Sequence, residues 1–129
     1  PNDFVLTARA DGIMTGVYDI DEAIARLQGF EAVGADCLYA PLPQCTDDVT
    51  RICASVAAPV NVLVAGLTYT TETIESFALM GVARLSLGSA LARITHRALH
   101  DAALDVFGAG DFSQLGHSIS GDTIDAMLI

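Results

Sequence analysis

The sequence predicts an α/β fold in which parallel β-strands alternate with helices. Four short apolar segments recur along the chain, an amphipathic helical pattern follows each of them, and glycine or proline marks the junctions. Strands that are apolar on both faces are typical of parallel sheets covered by helices. The 129 residues are enough for one domain with a substantial core.

The composition argues against several classes of protein. The chain is 52% hydrophobic and 17% charged, unlike a disordered protein. A net charge of -10 with only six lysines and arginines argues against a nucleic-acid partner. No run of about 18 apolar residues predicts a membrane span. The three cysteines (Cys37, Cys45 and Cys53) are odd in number and lack CxxC spacing, which favours reduced thiols and a cytoplasmic location.

The first βα unit shows the pattern clearly. Its strand is predicted over residues 4–8 and leads directly into Arg9 and Asp11. The first helix is predicted to begin at Asp19, with Glu22 three residues later in a capping-box spacing. A glycine closes this helix, and the second strand follows.

Three further units repeat this order. Ile74, Phe77 and Ala78 of the third helix are predicted to face inward. The remaining predicted elements are a strand over 37–40, a helix capped by Thr46, a strand over 60–64, a helix capped by Thr70 or Thr71, a strand over 83–87, a long helix from Gly88 and Ser89 to about Phe107, and a short helix capped by Asp122.

We therefore divide the chain into four βα units over residues 1–108 and a C-terminal tail with a short helix over residues 109–129. Four such units form either a small open sheet or half of an eight-stranded barrel, since a complete barrel takes about 250 residues. In both architectures ligands bind at the carboxyl ends of the strands.

The strand ends carry the candidate binding residues. A guanidinium at Arg9 suits a carboxylate or phosphate, unless it only pairs with Asp11 or Asp36 to tie a loop. Asn61 either bonds a neighbouring strand or reaches the pocket. The complete predicted substrate-binding set is Arg9, Asp11, Tyr39, Asn61, Gly66, Ser86, Gly88 and Ser89.

Backbone amides supply a further candidate anion site. Gly88 and Ser89 precede a helix, and Gly66 follows the preceding strand, as in the anion sites that barrels build from their last two loops. The alternative is an ordinary turn with an N-cap. His96 and His100 have i, i+4 spacing but no third ligand, so no metal site is predicted there, and no catalytic residue is assigned.

Five ordered segments carry a family resemblance: residues 8–11, 21–24, 34–37, 59–63 and 81–93. In this order and spacing they resemble the isocitrate lyase / phosphoenolpyruvate mutase superfamily, specifically its short bacterial members, over about residues 3 to 107. The resemblance implies that the chain is the C-terminal half of a (β/α)₈ TIM barrel and supplies strands five to eight.

The resemblance also implies an activity for the intact protein. Members are Mg²⁺-dependent lyases or mutases that act on a small 2-oxo or 2-hydroxy acid or a phosphonate. They break or form a C–C or P–C bond through an enolate-like intermediate. Arg9 would hold the anionic group of the substrate, and Asp11 would support Arg9. The Mg²⁺ ligands and the catalytic loop of the lyases are expected in the other half of the barrel, so the isolated fragment is not expected to be active.

Tyr39, Ala40 and Pro41 stand where the lyases carry a glutamate, which argues against true isocitrate or methylisocitrate lyase activity. Half a barrel exposes two sheet edges, so we expect a homo-oligomer or association with the missing half-barrel. The alternative hypothesis is a non-catalytic open βα domain that binds an anionic small molecule or a protein partner.

Overall fold

The computed structural model describes residues 4–128 and contains a four-stranded parallel sheet. Each strand pairs with the next one in the chain, so the spatial order is also the sequence order. The predicted α/β arrangement of four parallel strands alternating with helices is confirmed. The strands are β1 (Thr7–Arg9), β2 (Cys37–Tyr39), β3 (Val60–Leu63) and β4 (Arg84–Ser86).

Helices connect and follow the strands. They are α1 (Gly12–Thr15), α2 (Ile20–Ala32), α3 (Thr46–Ser55), α4 (Leu67–Thr70), α5 (Ile74–Leu79), α6 (Ala90–Leu104) and α7 (Gly121–Ala126). A π-helical turn (Asp105–Ala109) and a 3₁₀ helix (Ser113–His117) lie between α6 and α7. None of the helices described is both long enough and apolar enough to cross a membrane.

The chain forms two compact units, the first ending at Gly88 and the second beginning at Ser89. The first unit holds the sheet and helices α1 to α5. The second holds α6 and the elements after it. The predicted division between residues 1–108 and 109–129 stays a prediction.

The core of the first unit lies between one face of the sheet and the helices. Leu38 and Val60 of adjacent strands share a buried cluster with Leu27 of α2 and Ile52 of α3. Burial of an aliphatic side chain of this size contributes about 1.5–3 kcal/mol, so these contacts hold the helices on this face. A second cluster joins Val49, Val62, Tyr69 and Phe77.

The start of α2 matches the prediction. The Asp19 side chain accepts a hydrogen bond from the Glu22 backbone N–H at 3.1 Å, which satisfies one of the unpaired donors of the first turn. Gly34 follows the helix with φ of +94°, a conformation that favours glycine.

Three predicted caps are wrong. Helix α3 begins at Thr46 itself, after Cys45 and without a side-chain cap. Thr70 and Thr71 belong to α4 and its end, and α5 is capped by Thr73 in a capping box. Helix α7 is capped by Ser120, so Asp122 lies in its first turn. At α5 and α7 the cap lies elsewhere within a short polar segment that offers several competent side chains.

Two predictions of strand and helix packing also need correction. The predicted first strand began too early, because Phe4 and Val5 are 71% and 69% exposed and precede β1. In α5, Phe77 is buried, whereas Ile74 is 76% exposed and Ala78 is exposed. A helix of six residues has fewer than two turns, so it offers little surface to the core.

Candidate functional site

A row of four side chains crosses the sheet at one level. The strand register pairs Arg9 with Tyr39, Tyr39 with Asn61, and Asn61 with Arg84. Partners in register point to the same side of a sheet, and successive residues of a strand alternate between sides. Because Leu38 and Val60 face the helices, this row lies on the opposite face.

A cavity of about 490 Å³ lies over this row. A volume of this size suits a small ligand. Its charged lining residues are two arginines, and no carboxylate lines it, although the chain as a whole is strongly acidic. The lining residues are Thr7, Arg9, Met14, Tyr39, Asn61, Leu63, Arg84, Ser86 and Gly88.

Arg9 is held at the end of β1 by two neighbours. Its Nε and Nη2 donate to Asp11 Oδ1 at 3.1 and 2.9 Å, and its guanidinium carbon lies 4.9 Å from the centre of the Tyr39 ring. Both partners of the ion pair are about half exposed, so the pair contributes little to stability. Its main consequence is to orient the guanidinium, which keeps further N–H donors for a ligand.

Asn61 is buried at the centre of a polar network. Its Oδ1 accepts from Arg84 Nη1 at 2.9 Å, and its Nδ2 donates to Ser86 Oγ at 3.1 Å. The Ser86 hydroxyl in turn donates to the Val62 carbonyl at 3.3 Å. Asn61 therefore forms hydrogen bonds with two residues of the neighbouring strand β4, and it also lines the cavity.

The loop that follows β2 is anchored by Tyr69. The buried phenol donates to the Pro43 carbonyl at 2.6 Å, and Leu42 before it adopts φ of +54°. Burial raises the pKa of Tyr69 to about 12, with Cys45 and Asp48 adding to the shift. The neutral phenol is therefore a persistent donor to this loop at the carboxyl end of the sheet.

Burial acts against a reactive thiolate at one of the cysteines, Cys53. All three are free, and burial raises the pKa of the Cys53 thiol, which disfavours the reactive thiolate. Cys37 is buried within β2, while Cys45 is exposed before α3.

The structure brings together most of the predicted site. Five predicted residues line the cavity: Arg9, Tyr39, Asn61, Ser86 and Gly88. Asp11 reaches it only through its pair with Arg9. Gly66 precedes α4 and is not among the lining residues, and Ser89 begins the second unit.

Arg84 is the charged residue that the sequence reasoning missed. A signal for it was available, because Arg84 lies two residues before Ser86 in the same strand and so shares its face. Thr7, Met14 and Leu63 were also not anticipated in the lining.

The residues described do not form a magnesium site by themselves. Among residues 4–128, no group of three or more histidine, cysteine, aspartate or glutamate side chains could hold a metal ion. Mg²⁺ takes oxygen ligands in near-octahedral geometry, and the carboxylate of Asp11, beside the lining residue Arg9, is paired with that arginine.

Comparison with known proteins places the chain in context. The phosphoenolpyruvate phosphomutase family model matches residues 1–107. A provisionally assigned lyase/mutase from Burkholderia cenocepacia J2315 is 36% identical with a TM-score of 0.90, and the match covers 99% of this chain and 46% of that chain. No curated protein gives a match.

Two further solved structures extend the comparison. A provisionally assigned phosphonomutase from Burkholderia cenocepacia J2315 is 28% identical with a TM-score of 0.66, covering 78% of this chain and 42% of that one. Phosphonopyruvate hydrolase, solved with oxalate and Mg²⁺, shares the fold at 22% identity with a TM-score of 0.73, covering 95% of this chain and 44% of that one.

The chain thus spans less than half the length of each of these relatives. The family match covers well over half of the chain and extends through all four strands to α6. The chain belongs to the phosphoenolpyruvate phosphomutase family, within the isocitrate lyase / phosphoenolpyruvate mutase superfamily, and its four strands are the second half of that superfamily's (β/α)₈ barrel.

Proposed function

We propose that the cavity over the sheet is the substrate-binding half of a Mg²⁺-dependent lyase or mutase. The substrate is a small 2-oxo or 2-hydroxy acid or a phosphonate, and the reaction breaks or forms a C–C or P–C bond through an enolate-like intermediate. The observation that carries the proposal is the position of Arg9. Its guanidinium lies at the carboxyl end of β1, in a cavity without carboxylates.

Arg9 binds the anionic group of the substrate in this proposal. Asp11 orients the guanidinium from one side and Tyr39 supports it from the other. The hydroxyl of Ser86 and the backbone at Gly88 are further polar groups of the lining. A guanidinium held by two neighbours in this way binds an anion with little reorganisation.

Gly66 and Ser89 remain predicted backbone contacts. We propose that the Mg²⁺ ligands belong to the other half of the barrel, in line with the Mg²⁺ and oxalate in the phosphonopyruvate hydrolase structure. The metal would polarise the substrate oxygen as a Lewis acid. The 129 residues are then inactive alone and associate with the missing half-barrel or with a second copy. The predicted cytoplasmic location is part of this proposal.

The test is a panel of 2-oxo acids, 2-hydroxy acids and phosphonates, assayed with the intact protein in the presence and absence of Mg²⁺. We expect metal-dependent turnover of at least one member. Arg9→Ala should lower kcat/KM by about tenfold or more, because a hydrogen bond to a charged group contributes about 1.5–3 kcal/mol. An unchanged kcat/KM in this variant would remove Arg9 from the site.

A second candidate function is binding of an anionic small molecule, or of a protein partner, without chemistry. The lining of the cavity favours it, since no histidine or carboxylate among the lining residues could move a proton. Calorimetric titration with oxalate distinguishes the two candidates when combined with the panel. Oxalate binding without turnover of any panel member would support the binding domain.

A further inference from the structure

The hydroxyl of Tyr39 is a group of the cavity that the proposed reaction does not yet use. Tyr39 is the last residue of β2, and its side chain belongs to the row that crosses the open face of the sheet. The residue is 9% exposed and lines the cavity. Its ring supports the guanidinium of Arg9, whereas its hydroxyl has no task.

The Tyr39 hydroxyl is in contact with the space of the cavity. Hydrogen bonds engage the side chains of Arg9, Asn61, Arg84 and Ser86, and none of these bonds includes the Tyr39 oxygen. Within residues 4–128, every fully buried side-chain nitrogen or oxygen has a hydrogen-bond partner. A hydroxyl without a partner in this part of the chain is therefore not enclosed by protein, and it faces the cavity.

The free hydroxyl of Tyr39 differs from that of Tyr69, which donates to the Pro43 carbonyl at 2.6 Å. A phenol can act as a general acid when its proton is available to a ligand. The other hydroxyls of the lining belong to Thr7 and Ser86. These are aliphatic alcohols, which give up a proton less readily because they cannot spread the negative charge over a ring.

The charges around Tyr39 favour loss of its proton to a ligand. The guanidinium carbon of Arg9 lies 4.9 Å from the ring centre, and the charged residues of the cavity lining are two arginines. When a phenol donates its proton, negative charge develops on its oxygen and ring. A neighbouring cation stabilises that charge. A ligand bound by Arg9 also lies beside the phenol, so the proton has a short distance to travel.

We propose that Tyr39 is the proton donor of the final step, a general acid that protonates the carbon of the enolate-like intermediate. The O–H bond of the phenol breaks, and the electron pair of the enolate C=C bond forms the new C–H bond while the carbonyl group re-forms. The phenolate then takes a proton from water. This inference rests on the proposed function of the same cavity and adds a catalytic residue to it.

The test follows the same step in reverse, as exchange of the C3 hydrogens of 2-oxobutyrate in D₂O. The phenolate removes a hydrogen from C3, the phenol exchanges with the solvent, and a deuterium returns to the carbon. The measurement is loss of the C3 signal in proton NMR, with the intact protein and Mg²⁺ present. Because the phenol acts from one side, we expect one of the two C3 hydrogens to exchange. Equal exchange of both would contradict the proposal.

Two tyrosine variants separate proton donation from support of the site. Tyr39→Phe removes the hydroxyl and keeps the ring beside Arg9, so it should slow the exchange by about 100-fold or more. Its Kd for oxalate should stay within about twofold of the unaltered value. Tyr18→Phe is the control, since that ring contacts Arg26 and does not line the cavity. It should change neither the exchange nor the Kd.

The two proposals fail in different ways. If Tyr39→Phe exchanges at the unaltered rate, or loses oxalate binding as strongly as exchange, Tyr39 is not the proton donor. If the unaltered protein binds oxalate but exchanges neither hydrogen, the proton donor is also wrong, while the proposed function keeps its own test in the substrate panel. If the unaltered protein neither binds oxalate nor turns over any panel member, the proposed function itself is overturned.

Discussion

The guanidinium of Arg9 lies 4.9 Å from the centre of the Tyr39 ring, on the neighbouring strand in register. The chain repeats this local chemistry elsewhere. On α2, Arg26 pairs with Glu22 at 2.8 Å and lies 4.7 Å from the ring of Tyr18. Both arginines are 49% exposed in their side chains. Of these two arginines, Arg9 lines the cavity over the sheet and Arg26 does not.

This similarity gives a matched pair of variants for the anion site. Arg9→Met and Arg26→Met each remove an exposed ion pair and a cation–π contact, so each should change the free energy of unfolding by less than about 1–2 kcal/mol. Oxalate binding by the intact protein should weaken about tenfold or more only in Arg9→Met. Urea unfolding and calorimetric titration measure the two effects. An equal loss of oxalate binding in both variants would contradict the assignment of Arg9.

Two glycines predict stability changes of opposite sign. Gly81 has φ of +91°, and an added Cβ would lie 3.0 Å from Cys53 Cβ. Gly81→Ala should therefore destabilise the fold by more than about 1 kcal/mol. Gly29 lies within α2 with open space around it, so Gly29→Ala should stabilise by about 0.5–1 kcal/mol. Urea unfolding of both variants measures the sign of each change in unfolding free energy. An unfolding free energy of Gly81→Ala equal to that of the unaltered chain would contradict the predicted strain at this turn.

The fold was predictable because its signals are local. Each strand is a short apolar run between glycine or proline, and the Asp19 cap depends only on a residue three positions away. The third helix shows the limit. Four threonines lie between residues 68 and 73, and each is a competent cap on local grounds. Thr73 is the one that caps α5, with Ser76 in a capping box, in a helix that buries Phe77. Local sequence does not distinguish it from the other threonines.

The candidate site was predictable only in part, for a related reason. Arg9 follows an apolar strand and is visible from its immediate neighbours. The contact between Asn61 and Arg84 joins residues 23 positions apart and depends on the register of β3 and β4. Alternation along one strand shows which residues share a face, but the sequence does not state which residue of the next strand lies opposite.

The isolated 129-residue chain is predicted to self-associate. The four-stranded sheet ends at β1 and β4, which present unpaired edges within the described residues. The second unit has exposed apolar side chains, including Ile94 at 65% and Phe107 at 90%. Sedimentation velocity should show dimers or larger species that increase with concentration, and Ile94→Gln should reduce them more than His96→Gln on the same helix. A monomer at every concentration would contradict this prediction.

The phenol of Tyr69 should make the stability of the fold depend on alkaline pH. Burial raises the pKa of Tyr69 to about 12, against about 10 in the unfolded chain, so its contribution is complete below pH 10 and is lost as the pH rises toward 12. Tyr69→Phe leaves the Pro43 carbonyl without its donor and should cost about 1–3 kcal/mol at pH 8.

Unfolding free energies measured at several pH values separate the contribution of this hydrogen bond from that of ring packing. The ring packing is kept in Tyr69→Phe, whereas the hydrogen bond is lost. In urea unfolding, the difference in unfolding free energy between the unaltered chain and Tyr69→Phe should shrink between pH 10 and 12, because the phenol ionises in the unfolded chain above pH 10 while the folded phenol keeps its proton up to about pH 12. Tyr18→Phe, at a ring that contacts Arg26 instead, is the control and should leave the stability at pH 8 nearly unchanged. A pH-independent difference for Tyr69→Phe would mean that the Pro43 bond does not anchor the loop after β2.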